Sequence, residues 1–205
     1  MQYFISDPHM GHYNCIRFDN RPFKDVEEMN NEMISAINKR CKADDDLYIL
    51  GDFCMRPAMY ALWAEKINAK KHLILGNHDN EKAARASGAF VEIVDYKRLI
   101  LPNPVVAGTS IKVILSHYPM VSWDGQMYGA IHIYGHVHVN EVIYVYGPDG
   151  KQQLLDLNNI PNAYNACCVK QKFVPWTLED YVTKYGYKED IYIPYDKKDK
   201  YRVFR

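Results

Sequence analysis

Leu73-Ile74-Leu75-Gly76-Asn77-His78-Asp79 carries the pattern that decides how this 205-residue chain folds. A short apolar run is stopped by glycine, and the next three residues all bear groups that bind metal or move protons. The same grammar recurs upstream. Tyr3-Phe4-Ile5-Ser6 runs into Asp7 and His9, and Leu47-Tyr48-Ile49-Leu50 runs into Gly51 and Asp52. It recurs downstream as well. Val113-Ile114-Leu115-Ser116 is followed by His117, and Ile131-His132-Ile133-Tyr134 by Gly135, His136 and His138. Six of the eight histidines fall inside these five pieces, which scattered structural histidines would not do.

Between the pieces the periodicity changes. Val26, Met29, Met33, Ile34 and Ile37 recur at helical spacing, so an amphipathic helix is predicted over Pro22 to about Arg40. Further helices are expected over Ala58–Ile67, Asn80–Ala86 and Leu178 to about Tyr185, the last capped by Thr177. Short strands are expected at Val91–Val94, Leu99–Leu101 and Ile111–Leu115. A hairpin is expected around Gly147-Pro148-Asp149-Gly150, flanked by Glu141–Tyr146 and Gln152–Leu157, with a last core strand at Asn165–Val169. Helices alternating early with strands, then a run of strands, give a mixed α/β (α+β) protein with two sheets.

Composition limits the function classes. Hydrophobic residues make up 48% of the chain, enough for one domain with a sizeable core, and no linker or repeat divides residues 1–205. Twenty-five Lys and Arg balance 25 Asp and Glu, so a basic coat for duplex nucleic acid or a membrane surface is not expected. Five cysteines, two of them adjacent at 167 and 168, fit buried free thiols in a reducing compartment better than a disulfide framework. The N-terminus has no basic segment followed by a long apolar one, so a cytoplasmic protein without a membrane anchor is expected. The pattern carries no signal for oligomeric state.

The five run-ends bring the chemistry together. In open α/β sheets the carboxyl ends of the strands line one crevice. In an extended chain residues i and i+2 point the same way, so Asp-x-His and His-x-His pairs can each face one metal. Glycines before Asp52, Asn77 and His136 let the backbone turn sharply there. The donors are oxygen and imidazole nitrogen without cysteine, which suits Mn, Fe, Zn, Ni or Co rather than a structural zinc. Seven candidate ligands are too many for one ion, and two ions roughly 3.5–4 Å apart sharing a carboxylate are the natural solution.

As an ordered set, Ser6-Asp7-Pro8-His9-Met10-Gly11-His12, Gly51-Asp52, Gly76-Asn77-His78-Asp79, Ser116-His117-Tyr118-Pro119 and Gly135-His136-Val137-His138 resemble the calcineurin-like metallophosphoesterases, in particular the small bacterial and phage branch. The resemblance implies a four-layer α/β/β/α sandwich with two central mixed sheets. It also implies that Asp7, His9 and His138 hold one metal, that Asn77, His117 and His136 hold the other, and that Asp52 bridges them. Manganese is the first expectation for the two divalent ions. The implied reaction is phosphate-ester hydrolysis by a hydroxide held between the metals, with phosphodiesters, nucleotide-like or cyclic, slightly ahead of monoesters. His78 would protonate the leaving group and Asp79 would fix its ring. The alternative on the same fold is a catalytically silent scaffold or a nucleotide-binding regulatory protein, which would usually lack ligands or the catalytic histidine.

Further candidates surround this set. His12 and Arg56 are candidates to touch the phosphate, with a surface-loop position the alternative for His12, and Asn14, Arg17 and Arg21 share a polar loop that could meet a leaving group or be solvated. Trp123 and Tyr128 could stack a base or simply pack. His132 is read as a hydrogen-bonded core residue and His72 as the start of a strand. The Tyr- and Lys-rich tail, 186–205, could form a partner surface, with a solvated, partly ordered tail the default expectation.

Overall fold

A computed structural model describes residues 1–189. Strands β1 (Gln2–Ile5), β2 (Asp46–Leu50), β3 (Lys70–Ile74) and β4 (Glu92–Val94) form a sheet in that order. Every neighbouring pair in it is parallel. Both faces are covered, as a parallel sheet requires. Tyr3, Ile5, Leu47, Ile49 and Leu73 point to one side, and Phe4, Tyr48, Leu50 and Ile74 to the other.

Three helices cover the first side: α2 (Val26–Arg40), α3 (Tyr60–Glu65) and α4 (Glu81–Ala86). Helix α2 begins where the Asp25 carboxylate accepts from Glu28 N, and Lys39 and Arg40 in its last turn complement the helix dipole. Its apolar stripe, Met29, Met33, Ile34 and Ile37, is buried. On the other side lies a second sheet of β5 (Tyr96–Pro102), β6 (Ser110–Ser116), β7 (Ile131–Tyr134) and β10 (Ala163–Asn165), ordered β10-β7-β6-β5. Here β5 runs antiparallel to β6 while the other pairs are parallel, so the mixed pairing belongs to this sheet.

The two sheets bury a shared core of Phe4, Leu50, Val113, Leu115, Ile131 and Ile133, joined by Leu178 and Tyr181 of α5 (Leu178–Tyr185). The Thr177–Asp180 capping box starts α5 where the sequence predicts it. The outer face of the second sheet is covered by Trp123, Val137, Leu157 and their neighbours in loops and short 3-10 turns. A hairpin, β8 (Val142–Tyr146) with β9 (Gln152–Asp156), follows β7.

Three local expectations change. A short helix, α1 (Asn14–Phe18), stands where only loop was expected. The helix expected over Ala58–Ile67 divides into a 3-10 turn at Pro57–Met59 and α3. The last core strand is β10, earlier than Asn165–Val169, because the Asn165 side chain accepts from Cys167 N and turns the chain. Beyond that turn the chain crosses to the first sheet: Ser6 N donates to Ala166 O, Cys168 N to Ser6 O, and Ala166 N to Tyr134 O. The sheets are therefore stitched together at one edge. The five cysteines are free and buried. Of the tail, residues 190–205 lie outside the described residues.

Candidate metal centre

The stitched edge is where β1, β2, β3, β6 and β7 end, and it gathers the candidate ligands. One ligand atom each from Asp7, His9, Asp52 and His138 lie within 4.8 Å of one another. His9 Nε2 is 3.1 Å from His138 Nε2 and 3.5 Å from Asp52 Oδ2. His138 Nε2 is 3.7 Å from Asp7 Oδ1. A second group adjoins the first. Asn77 Oδ1 sits 3.0 Å from both His117 Nε2 and His136 Nδ1. His117 Nε2 is also 3.6 Å from Asp52 Oδ2. The Asp52 carboxylate thus faces both groups.

The backbone reaches this arrangement differently from the extended-chain expectation. Asp7, His9, Asp52, His136 and His138 all have positive φ, between 50 and 72°. Such left-handed residues carry a strain cost and cluster at functional sites. The glycines also divide their roles. Gly51 has φ 89°, and a Cβ there would overlap the His117 ring. Gly76 and Gly135 do not turn the chain with positive φ but leave room. A Cβ on Gly135 would lie 2.7 Å from Ser6 Cβ, and one on Gly76 2.6 Å from Asp52 N.

The donor chemistry fits divalent cations. Asp7, Asp52, His9 and His117 are buried, and His9 Nδ1 has no hydrogen-bond partner although it is out of solvent. Burial raises the Asp7 carboxyl, against the His138 and His117 rings that lower it. Burial, reinforced by His138 and Arg21, pushes the His9 imidazole down to about 2, so the ring is neutral. Burial likewise lowers His136. His117 uses Nδ1 on Leu50 O, which leaves Nε2 toward Asn77 and Asp52. Cys15 Sγ lies 3.0 Å from His12 Nδ1 beside His9, but burial pushes that thiol up to about 12 and keeps it from acting as a thiolate ligand.

Two residues outside the predicted set hold the first group. His138 Nδ1 donates to the Asp19 carboxylate at 2.8 Å. Burial disfavours the His138 cation, but the Asp19 bond and the Asp7 and Asp19 charges outweigh it and raise the ring's pKa. Arg21 is buried, donates to Asp19 Oδ2 at 2.8 Å, and donates to Pro8 O and Asp7 O at 2.8 and 3.0 Å. A carboxylate behind a ligating histidine fixes its tautomer and orientation. Arg21 is a strut of the Asp7–His9 loop, not the leaving-group contact its polar loop suggests.

Asp79 also departs from expectation. Its carboxylate accepts from Asp52 N, Phe53 N, Gly76 N and Tyr60 Oη at 2.8–2.9 Å, and none of these donors is His78. All its strong acceptor sites are used to hold the Asp52 turn against the Gly76 turn. His78 is exposed, its ring 5.5 Å from that of His9, and its backbone N donates to Asp52 Oδ1. The His12 ring is 5.7 Å from His9. Asn14, Arg17 and Arg56 are exposed, without side-chain hydrogen bonds among the described residues. Trp123 is buried and donates to Ala130 O, which removes it as a stacking surface.

The family model for calcineurin-like phosphoesterases matches residues 3–160. The chain belongs to the calcineurin-like phosphoesterase family. Members of this family are metal-dependent phosphoesterases, in keeping with the divalent-ion character of the His/Asp cluster. The chain is 33% identical over 147 residues to an uncharacterized protein of Methanocaldococcus jannaschii, covering 68% of this chain and 70% of that one. It is 31% identical over 159 residues to the gene 66 protein of Mycobacterium phage L5, covering 66% and 76%. That likeness agrees with the phage-type branch. A solved structure, a protein of unknown function from Aquifex aeolicus, superposes with a TM-score of 0.63 at 26% identity, over 90% of this chain and 98% of that one. Among the described residues no helix is long and apolar enough to cross a membrane.

Proposed function

We propose that this chain hydrolyses phosphate esters with two divalent transition-metal ions, manganese first among them. The observation that carries the reading is the Asp52 carboxylate, whose Oδ2 lies 3.5 Å from His9 Nε2 and 3.6 Å from His117 Nε2. Asp7, His9 and His138 would hold one ion, Asn77, His117 and His136 the other, and Asp52 both. When bound, such ions supply Lewis acidity and a water ionised near neutral pH.

The chain's own residues do the rest. Asp79 and the His78 N–H bond to Asp52 keep the bridging carboxylate from rotating away. The exposed His78 ring, with no side-chain partner among the described residues, is free to give a proton to the departing oxygen. Diesters are favoured slightly over monoesters. Among the described residues the buried guanidinium near the site, Arg21, is taken up by Asp19 and two carbonyls, so it does not meet a dianion.

The test strips the protein with a chelator and refills it separately with Mn, Ni, Zn, Co and Mg. Each form is assayed on p-nitrophenyl phosphate and bis-p-nitrophenyl phosphate. Turnover is expected to require a transition metal. His78→Ala is expected to lose about 10²–10⁴-fold in rate with metal content unchanged. Two bound ions with no turnover of either ester would instead support a silent scaffold.

A further inference from the structure

A cleft of about 610 Å³ opens directly beside the metal centre, with His136 and His138 in its wall. Apart from Asp19 and Asn140, its other walls are apolar and come from three separate parts of the chain. Phe18 stands at the end of α1, Tyr118 follows β6, and Val142 and Tyr144 lie on β8. These side chains are turned to solvent: Phe18 is 71% exposed, Tyr144 68% and Tyr118 50%. Folding does not ask for this. On β8 the alternate residue Ile143 packs inward with Val137 and Leu157, so the hairpin already has its buried face. Exposed apolar side chains gathered around one cleft are the kind of surface that marks a binding site.

Its position says what binds. Tyr118 is packed edge-on to His136 at 4.6 Å between ring centroids and joins the cleft to the ligand cluster. Phe18 precedes Asp19, the carboxylate that holds His138. A group in the cleft is therefore covalently within reach of a phosphorus at the metal centre. Among the described residues no Lys or Arg lines the cleft, so further phosphates of a long polyanion find no counter-charge from them there. Flat aromatic surface without cationic residues suits a base or aryl group.

Resting on the phosphoesterase reading, we infer that Phe18, Tyr118 and Tyr144 form a stacking subsite for the nucleobase of a mononucleoside-type phosphate ester. The subsite sets specificity by gripping the organic part of the substrate while the metal centre takes the phosphate.

The test is a calorimetric titration of the manganese-loaded full chain with two phosphonates whose C–P bond resists hydrolysis. One is the analogue of adenosine monophosphate and the other is the same sugar phosphonate without the base. The base is expected to improve affinity about tenfold or more. Phe18→Ala/Tyr144→Ala is expected to abolish that ratio, and Tyr144→Phe to keep it, which separates stacking from loss of fold. Equal affinity for the two ligands, or an undiminished ratio in the double alanine variant, would overturn the subsite. So would a dimer of the parent chain that Tyr144→Ala dissociates in sedimentation, since a second copy would then cover this surface. A base preference without turnover of any ester would leave the subsite standing and remove the phosphoesterase reading; turnover without base preference would do the reverse.

Discussion

His138 Nδ1 lies 2.8 Å from Asp19, and that carboxylate is in turn gripped by Arg21. No sequence signal pointed to Asp19: it follows no apolar run and stands in a polar loop, and only the fold carries it 119 residues along the chain to His138. The candidate ligands were legible because each sits at the end of an apolar run. Asp79 was legible as chemistry but not as geometry. It neighbours His78 in sequence, yet its oxygens face the Asp52, Phe53 and Gly76 amides and the Tyr60 hydroxyl. Removing the charge behind a ligating histidine typically weakens metal binding about 10–100-fold. Asp19→Asn is therefore expected to lower manganese affinity by that factor in a chelator-competition titration, with the fold intact by circular dichroism.

Strand β7 carries both an expectation and a pH dependence. His132 on it is fully buried; its Nδ1 donates to Ile114 O at 3.2 Å, and its Nε2 accepts from Met120 N at 3.2 Å. Burial holds the ring neutral, pushing it from 6.5 to about 4. The unfolded chain then takes up the proton first as pH falls, so this contribution is present above pH 6.5 and is lost between 6.5 and about 4. At about 1.36 kcal/mol per pH unit the loss amounts to about 3 kcal/mol. Urea unfolding of chelated protein is expected to show falling stability through that window, with a shallower slope in His132→Gln. A parallel slope in the variant would remove His132 as the cause. The core strands were legible in the sequence because both faces of a parallel sheet are apolar. Helix α1 was not, since five residues are too few for periodicity. Nor was the early end of β10, which depends on one Asn165 side-chain bond.

Across the whole molecule, two sheets meet at one edge because the chain after β10 hydrogen-bonds to Ser6 of the first. That stitch brings Asp7, His9, Asp52 and Asn77 from one sheet against His117, His136 and His138 from the other. The layered α/β architecture follows from the alternation of helix and strand periods in the sequence. Which loops would approach the site does not, because the cleft beside it is lined by residues as far apart in the chain as Phe18 and Tyr144. Metal binding to such a site stabilises the fold by mass action, about 2.7 kcal/mol at a hundredfold excess over Kd, so chelation is expected to lower the melting temperature. The most direct measurement counts manganese by mass spectrometry after equilibrium dialysis of the parent chain, Asn77→Ala and Asp52→Asn. Two ions per parent chain are expected, one in Asn77→Ala, and weakened binding of both in Asp52→Asn. A single ion in the parent chain, or full binding of two in Asp52→Asn, would contradict a carboxylate-bridged pair at the joined sheet edge.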